Sequence, residues 1–213
     1  MPRKIESLFI QGPAGRLEAI LEEPEEGLLR EAALVCHPHP QHGGTMRSIV
    51  ISALFSALPA SGVTCLRFNF RGVEGSEGVY DAGRGEQLDV VAAVAALAEQ
   101  SGGSLPLVLT GWSFGADVAL SVLDPRLAAW LAIAPPLRFL ADPDAVGADP
   151  RLKSLVLAEH DEFRSPAEVT TAVATWGATE IAVVGGASHF FVGRTDEVVR
   201  RARAVAAAVA RRA

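Results

Sequence analysis

One serine stands between two glycines in the stretch LTGWSFGA (residues 109–116), where an apolar run gives way to helix-forming residues. Glycine in such a stretch lowers stability unless the chain needs an unusual backbone conformation or a close approach. One interpretation is a sharp turn that lifts the hydroxyl of Ser113 above a sheet as a nucleophile. The other is an ordinary strand-to-helix loop, and these residues alone leave both interpretations open.

A serine nucleophile needs two partners, and residues of both types follow later strands. A hydroxyl reacts at neutral pH when a base lies within hydrogen-bond reach and a third group orients that base. The apolar run SLVLAEH (154–160) is followed by Asp161, and TEIAVVG (179–185) leads to His189. The carboxyl ends of parallel strands meet at one edge of an α/β sheet. The chain order Ser113, Asp161, His189 is that of a nucleophile, acid and base on such a sheet.

Each partner also has a structural alternative. Asp161 could begin a turn or cap the next helix, and the neighbouring Glu162 could supply the carboxylate instead. His189 could be an ordinary loop histidine, since the loop-like GGAS precedes it. We expect His160 to point away from the site if Asp161 faces the serine. Three suitable residue types after three strands, in the right order, favour catalysis over chance.

A tetrahedral intermediate also needs hydrogen-bond donors for its oxyanion. The loop CHPHPQHGGTM over residues 36–46 could supply one. If His37 marks the end of a strand, the backbone amide of His39 is well placed, because the flanking prolines have no N–H. The second donor would be the amide of Phe114, at the start of the helix after the nucleophile. We therefore predict an oxyanion hole made by the amides of His39 and Phe114.

The same loop has a second interpretation, because His37, His39 and His42 could together bind a metal ion. Such a site would need further ligands, and no Asp or Glu lies nearby in sequence to complete it. We therefore predict that the protein uses neither a metal nor an organic cofactor.

The elements that position these residues follow from the hydrophobic pattern. SLFIQ and RLEAILEE, joined by GPAG, predict an antiparallel hairpin near the start. Further apolar runs predict strands at 32–37, 63–70, 106–111, 128–134, 154–160 and 179–185. Helices are predicted at about 47–58, 84–100, 114–123, 165–176 and 195–212. The alternation predicts one α/β domain over residues 1–213, with a mostly parallel central sheet of about eight strands, helices on both faces and no cap domain.

The helix at 84–100 follows a glycine-rich loop and carries an apolar face. Its apolar residues at helical spacing, which we expect to pack on the sheet, are Leu88, Val91, Ala95 and Ala98. Glu86 and Asp89 lie near its start, where acidic side chains suit the helix dipole. Arg71 precedes it in the stretch RFNFRGVEGSEG, and we expect this arginine to anchor the loop rather than to bind substrate.

The last predicted helix is rich in arginine and could suggest binding to a membrane or to nucleic acid. It also has an apolar stripe at helical spacing, formed by Val198, Ala202, Val205 and Val209. The arginines occupy the other faces, so the pattern favours a closing helix that packs on the sheet.

Composition excludes several classes of function. The 213 residues are 49% hydrophobic and 21% charged, which is typical of a globular protein. A net charge of −6 provides no positive field to attract nucleic acid or anionic lipid. The start MPRKIESLFIQ lacks the apolar core of a signal peptide, and no apolar run reaches membrane-spanning length. We therefore expect a cytoplasmic protein with a small-molecule substrate and with neither a membrane nor a nucleic-acid partner.

The two cysteines, Cys36 and Cys65, lie in apolar runs that are typical of buried strands. We expect both to be reduced core residues. A buried disulfide between adjacent strands is the alternative.

Several stretches together resemble the small, capless α/β-hydrolases, from about residue 5 to the last helix. They are HPHPQHGGTM, RFNFRGVEGSEG, GRGEQLD, GWSFGA, IAPP, HDEF and SHFF. Many hydrolases share GWSFGA, whereas RFNFRGV together with SHFF is much narrower. The resemblance implies a nucleophile elbow and a catalytic triad of Ser113, Asp161 and His189, with oxyanion amides from His39 and Phe114.

The sequence departs from that family at two positions. Glu74 stands where a glycine is usual after RGV, and Ser48 stands where the family usually has asparagine. Both departures leave the triad intact, and we expect them to affect the mouth of the pocket.

These observations predict a carboxylesterase-like serine hydrolase that cleaves a small carboxylic ester or thioester through an acyl-enzyme. Two alternatives stay open: a noncatalytic interaction protein on the same scaffold, and an acyltransferase that uses the same triad. The stretch 135–152 is too short to form a cap, so we expect an open pocket for short acyl chains. Trp112, Phe139, Phe190 and Phe191 are the candidates for its apolar wall, and we expect some of the four to lie in the core instead.

Overall fold

An eight-stranded sheet forms the centre of a computed structural model, which describes residues 4–24, 31–103 and 105–211. The strands are β1 (Lys4–Gly12), β2 (Gly15–Glu23), β3 (Glu31–Cys36), β4 (Val63–Phe68), β5 (Leu107–Trp112), β6 (Leu127–Ile133), β7 (Leu152–His160) and β8 (Thr179–Ser188). Their order in the sheet is β1-β2-β4-β3-β5-β6-β7-β8. The β1–β2 and β2–β4 pairs are antiparallel and every other pair is parallel. The predicted sheet, with its N-terminal hairpin, is confirmed.

Helices cover both faces of this sheet. They are α1 (Ile49–Ala57), α2 (Arg84–Gln100), α3 (Phe114–Leu120), α4 (Pro143–Ala148), α5 (Pro166–Ala172) and α6 (Thr195–Ala210). Helices α2, α3, α4 and α5 contribute side chains to one core, and α1 and α6 contribute to the other. Helices α3 and α5 end a few residues earlier than the sequence predicts, and the predicted last residue of α6 lies outside the described residues. The prediction of one domain over residues 1–213 stays a prediction.

Side chains of each central strand alternate between the two cores, as the period of a β-strand requires. Leu34 and Cys36 of β3 belong to one core, whereas Val35 between them belongs to the other. Cys65 of the adjacent strand β4 lies in the core opposite to Cys36. Both cysteines are free and buried, as predicted, and the sheet separates their side chains.

Helix α2 packs on the sheet through a face other than the predicted one. Leu88 and Val91 are 54% and 39% exposed, respectively. The buried residues of α2 are Gly85, Glu86, Asp89, Val90, Ala93, Val94 and Leu97. The side chains of Glu86 and Asp89 are buried because their hydrogen-bond partners lie on the inner side of the helix. Glu86 accepts hydrogen bonds from the amides of Asp81 and Gly83, each at 2.8 Å.

Helix α6 closes the opposite face as predicted. The stripe formed by Val198, Ala202, Val205 and Val209 is buried and packs with α1. Its arginines make surface contacts, such as the ion pair of Arg200 with Glu197. No helix within the described ranges is long and apolar enough to cross a membrane.

Candidate active site

Ser113 lies at a sharp turn between β5 and α3. Its backbone angles are φ 56° and ψ −122°, in a region that residues with a side chain rarely adopt. The amide of Ser113 donates to the carbonyl of Ile133 on β6 at 2.8 Å, which fixes the turn to the sheet. A strained residue at such a position is typical of a nucleophile elbow. The sharp turn, and not an ordinary loop, is therefore the geometry present.

The two glycines that flank Ser113 are required by close backbone approaches. A Cβ atom on Gly111 would lie 2.1 Å from the carbonyl oxygen of Gly115. A Cβ atom on Gly115 would lie 2.4 Å from the carbonyl oxygen of His37, at the end of β3. Neither contact is sterically tolerable. The glycines thus let α3 start directly over β5 and beside the loop that follows β3.

Ser113, His189 and Asp161 form a continuous chain of hydrogen bonds. With its proton on Nδ1, His189 donates to Oδ2 of Asp161 at 2.8 Å and accepts from the Ser113 hydroxyl at Nε2 over 2.9 Å. The side chains of His189 and Asp161 are each 5% exposed. The three predicted residues, which lie far apart in sequence, are thus brought together at the carboxyl edge of the sheet.

Asp161, and not a neighbouring residue, contacts the imidazole of His189. Its second oxygen, Oδ1, accepts hydrogen bonds from the amides of Phe163 at 2.9 Å and Arg164 at 3.2 Å, which orient the carboxylate. Glu162 instead accepts from the backbone amide of His189 at 3.2 Å. His160 is exposed and lies beside Glu159, as expected for a side chain that points away from the serine.

His189 is held through its backbone by Trp112 and at its ring by Phe163. Trp112 donates from its indole Nε1 to the carbonyl oxygen of His189 at 3.1 Å. The ring of Phe163 lies with its centroid 4.5 Å from that of His189. Phe191, whose φ is 51°, is fully buried in the core beneath and therefore does not line the pocket. Of the four aromatic candidates for the wall, Phe191 is the one that belongs to the core and not to the lining.

Two histidines of the loop after β3, His37 and His39, have different environments. His37 is fully buried; its Nδ1–H donates to the carbonyl of Pro38 at 2.7 Å and its Nε2 accepts from the amide of Phe70 at 3.0 Å. Burial lowers the pKa of His37 to about 4, so the ring is neutral. His39 accepts from the amide of Gln41 and contacts the Tyr80 hydroxyl at 3.1 Å.

No group of three His, Cys, Asp or Glu side chains in the described parts of the chain could hold a metal ion. His37 and His39 also use both of their ring nitrogens in the contacts given above. The absence of a cofactor stays a prediction.

The predicted oxyanion residues His39 and Phe114 are neighbours, with ring centroids 4.9 Å apart. His39 precedes the short 3-10 helix Pro40–His42, and Phe114 is the first residue of α3. A Cβ atom on Gly44 would lie 2.1 Å from the carbonyl oxygen of Pro38, so the loop closes on itself only with glycine there. The loop that carries His39 is thereby kept beside the start of α3.

Glu74, Asn69 and Arg47 connect the loop after β3 to the neighbouring strands through hydrogen bonds and an ion pair. Asn69 accepts from the amide of Met46 at 2.8 Å and donates to the carboxylates of Glu18 and Glu74, both at 2.8 Å. Glu74 also pairs with Arg47. The φ of Glu74 is 46°, which glycine adopts without strain and which explains why glycine is usual there.

A cavity of about 550 Å³ opens beside Ser113, a volume typical of small-molecule sites. The predicted wall residues Trp112, Phe139 and Phe190 line it, as does Ser48, whereas Glu74 does not. The sequence pattern does not single out Ile49, Arg138 or Phe163 as wall residues. They complete the lining together with Pro38, His39, His42, Gly43, Gly44, Ser113, Phe114, Pro136 and His189. Phe163 belongs to the stretch HDEF, so a sequence motif could have identified it as a wall residue. No motif of the sequence includes Arg138.

Asp117 of α3 holds the segment that forms one side of the cavity. Its buried carboxylate accepts three consecutive amides, those of Leu137, Arg138 and Phe139, at 2.8, 2.7 and 3.0 Å. Burial raises the pKa of Asp117 to about 6, against the opposing effect of these hydrogen bonds. Arg164 adds a hydrogen bond to the carbonyl of Pro136 at 2.7 Å. The segment 136–139 is thus fixed from both sides.

Comparison with known proteins places this geometry among hydrolases. The chain is similar to an α/β serine hydrolase homologue from Coxiella burnetii, with 35% identity, a TM-score of 0.84 and coverage of 92% of this chain and 96% of that one. It is also similar to an α/β serine hydrolase without a lid from Xanthomonas campestris, with 30% identity, a TM-score of 0.85 and coverage of 100% and 96%. An uncharacterized protein from Rickettsia prowazekii is 31% identical over 203 residues, which are 89% of this chain and 84% of that protein. No protein-family model matches.

Proposed function

Because the chain belongs to the small α/β serine hydrolases that lack a lid, we propose that it cleaves carboxylic esters or thioesters through an acyl-enzyme on Ser113. The observation that carries this proposal is the hydrogen-bond chain from the Ser113 hydroxyl through His189 to Asp161, at the wall of an open cavity. A serine with these two partners is the arrangement that acyl transfer requires.

In the proposed reaction, Ser113 Oγ attacks the carbonyl carbon of the ester while its proton passes to Nε2 of His189. The positive imidazolium that forms is stabilised by the carboxylate of Asp161, which accepts from Nδ1. His189 then gives the proton to the departing alcohol or thiol, which leaves an acyl group on Ser113. A water molecule then attacks the acyl carbon while His189 takes its proton. The bond to Ser113 Oγ breaks as His189 returns that proton to Oγ, which releases a carboxylic acid and restores Ser113.

The negative oxygen of each tetrahedral intermediate needs donors, and we assign this role to the amides of His39 and Phe114. Both residues line the cavity next to Ser113. Their position is supported by the close approach of Gly115 to the end of β3, which brings the two backbone segments together. Loss of one such donor typically lowers kcat by a factor of about 10² to 10³.

Covalent labelling with a fluorophosphonate probe tests the nucleophile directly. The full-length protein should be labelled at Ser113, as mapped by mass spectrometry, and Ser113→Ala should abolish both labelling and the hydrolysis of 4-nitrophenyl butyrate. The loss of a triad member typically costs about 10⁴ to 10⁶ in rate. Circular dichroism should show that the variant remains folded.

Ser48→Ala is the matched control, because Ser48 lines the same cavity but interacts with the amide of Thr45 and not with a histidine. This variant should keep the labelling. A wild-type protein that resists the probe and hydrolyses no ester would contradict the proposal and favour a noncatalytic protein on the same scaffold.

A further inference from the structure

The cavity beside Ser113 has an uneven distribution of charge. Among the described residues that line it, Arg138 is the only lysine or arginine, and neither aspartate nor glutamate contributes. Of the other fifteen lining residues, seven are phenylalanine, tryptophan or proline and three are histidine, and Phe139, Phe163 and Pro136 are close to Arg138 in the chain or in space. A single cation in such a cavity attracts a negative group on whatever molecule enters.

The guanidinium of Arg138 is free to bind such a group. Its Nη2 atom lies 3.4 Å from the carbonyl oxygen of Phe163, a long contact. Arg138 forms no ion pair within the described residues, unlike Arg126 and Arg151, each of which has a carboxylate partner. Glu168 interacts with Arg138 through space, but the pKa of Glu168 is lowered first by its hydrogen bonds from Ser165.

The backbone that carries this side chain is fixed in advance. The amide of Arg138 donates to the buried carboxylate of Asp117 at 2.7 Å, and the amides on either side bind the same carboxylate. Leu137 adopts φ 56°, a strained conformation that this carboxylate holds in place. A binding group on a rigid segment loses less entropy when its ligand arrives.

We propose that Arg138 selects esters that carry a carboxylate, by binding that carboxylate while the ester bond lies at Ser113. This inference rests on the proposed ester hydrolysis and adds the class of substrate. A guanidinium presents two parallel N–H donors to a carboxylate, which lysine cannot do. Arg138 is itself exposed, so the strength of the pair comes from this two-pronged geometry and not from burial.

Two chromogenic esters with acyl chains of equal length test the proposal. Mono-4-nitrophenyl glutarate ends in a carboxylate, whereas 4-nitrophenyl pentanoate ends in a methyl group. After subtraction of spontaneous release, measured with Ser113→Ala, wild type should have the higher kcat/KM on the glutarate ester. Arg138→Gln should lower the ratio of the two kcat/KM values by about threefold or more, mainly through KM, as expected for loss of one exposed charge-assisted pair. Arg138→Lys should recover only part of the ratio.

A third ester distinguishes the side of the substrate on which the carboxylate lies. In 3-carboxy-4-nitrophenyl pentanoate the carboxylate is on the leaving group. If wild type prefers this ester over 4-nitrophenyl pentanoate and Arg138→Gln loses that preference, the proposal is supported, with the leaving group as the part that Arg138 binds. Arg200→Gln is the control, because Arg200 is an exposed arginine of α6 outside the cavity lining, and it should leave all ratios unchanged.

Two outcomes separate this inference from the proposed function. If wild type hydrolyses the neutral ester but Arg138→Gln leaves both charged-to-neutral ratios as they are, the role of Arg138 is overturned and the hydrolase proposal stands. If wild type hydrolyses none of the esters, both proposals fall.

Discussion

At the scale of single residues, two carboxylates contact His189, and only one of them contacts its imidazole. Asp161 binds Nδ1 at 2.8 Å, whereas Glu162 binds the backbone amide at 3.2 Å and is exposed. The amides of Phe163 and Arg164 orient Asp161 further. The two adjacent acids therefore make a matched pair for mutation.

We expect Asp161→Asn to lower kcat by about 10⁴, because an amide at this position favours the wrong tautomer of the imidazole. Glu162→Gln should stay within a few-fold of wild type, since an amide oxygen still accepts from the backbone amide. Both rates can be measured on 4-nitrophenyl butyrate. The reverse ranking would assign the acid to Glu162.

The second prediction about a single residue concerns His37 and the stability of the protein rather than its rate. Its pKa is lowered from 6.5 to about 4 by burial, so the folded protein stays neutral at His37 while the unfolded chain binds a proton below pH 6.5. The unfolded state thus binds more protons between pH 6.5 and 4, and this contribution to stability is lost as pH falls through that window. The loss is about 1 kcal/mol per pH unit.

Urea unfolding of wild type and His37→Gln at several pH values isolates this contribution. The pKa of Asp117 is raised to about 6, so its contribution to stability increases as pH falls below that value within this window. This contribution is the same in wild type and in His37→Gln, so it cancels in the difference between them. The stability advantage of wild type over His37→Gln should therefore shrink from pH 6.5 to pH 4. An advantage that is independent of pH would contradict the neutral, buried histidine.

The triad could be predicted from sequence because it depends on residue type, chain order and position at strand ends. Arg138 could not, because its place in the cavity depends on the turn that Asp117 imposes on residues 137–139. Asp117 itself reads as an ordinary residue of the helix after the elbow. Interactions between side chains and a distant backbone leave no periodic pattern in the sequence.

At the scale of elements, the clearest difference between pattern and structure is helix α2. Its hydrophobic spacing indicated one face, but the buried face also includes the acidic residues Glu86 and Asp89. Asp89 pairs in a two-pronged contact with Arg71, at 3.0 and 2.7 Å, and Gly85 is needed because a Cβ atom there would lie 2.1 Å from the guanidinium. A prediction from hydrophobic periodicity assumes that charged residues are exposed. It fails here because the charged side chain of Asp89 has a buried partner.

The Arg71–Asp89 pair should stabilise the junction of the β4–α2 loop with α2. Arg71→Met leaves the fully buried Asp89 carboxylate without its partner and should lower the free energy of unfolding by about 3–5 kcal/mol. Urea unfolding measures this cost. Substitution of Asp89 by leucine in the same background should recover part of the lost stability.

The exposed ion pair of Arg84 with Asp81, at the start of the same helix, is the control. Arg84→Met should cost less than about 1 kcal/mol, because solvent screens this pair. Equal costs for the two substitutions would mean that the buried pair does not stabilise the loop, and that Arg71 acts elsewhere.

At the scale of the whole molecule, the site is open because no helix or strand of the described residues covers it. Between β6 and β7 the chain forms a loop and the six-residue helix α4. Val146 of α4 is fully buried, and a Cβ atom on Gly147 would lie 2.5 Å from Trp176. The carbonyl of Gly147 also accepts from the amide of Gly177 at 2.9 Å. Helix α4 is therefore packed into the body of the molecule and is not placed to close over the cavity.

An open cavity of about 550 Å³ should favour short acyl chains. Each methylene that is buried contributes about 0.8 kcal/mol, and this gain ends where the wall formed by Trp112, Phe139 and Phe190 ends. On a series of 4-nitrophenyl esters, kcat/KM should be highest between acetate and hexanoate, and the rate should show no jump when the substrate forms micelles. Phe190→Ala, which removes a half-exposed part of the wall, should shift the optimum toward shorter chains. A maximum at dodecanoate, or a rate that jumps at the micelle threshold, would require a lid that these elements do not provide.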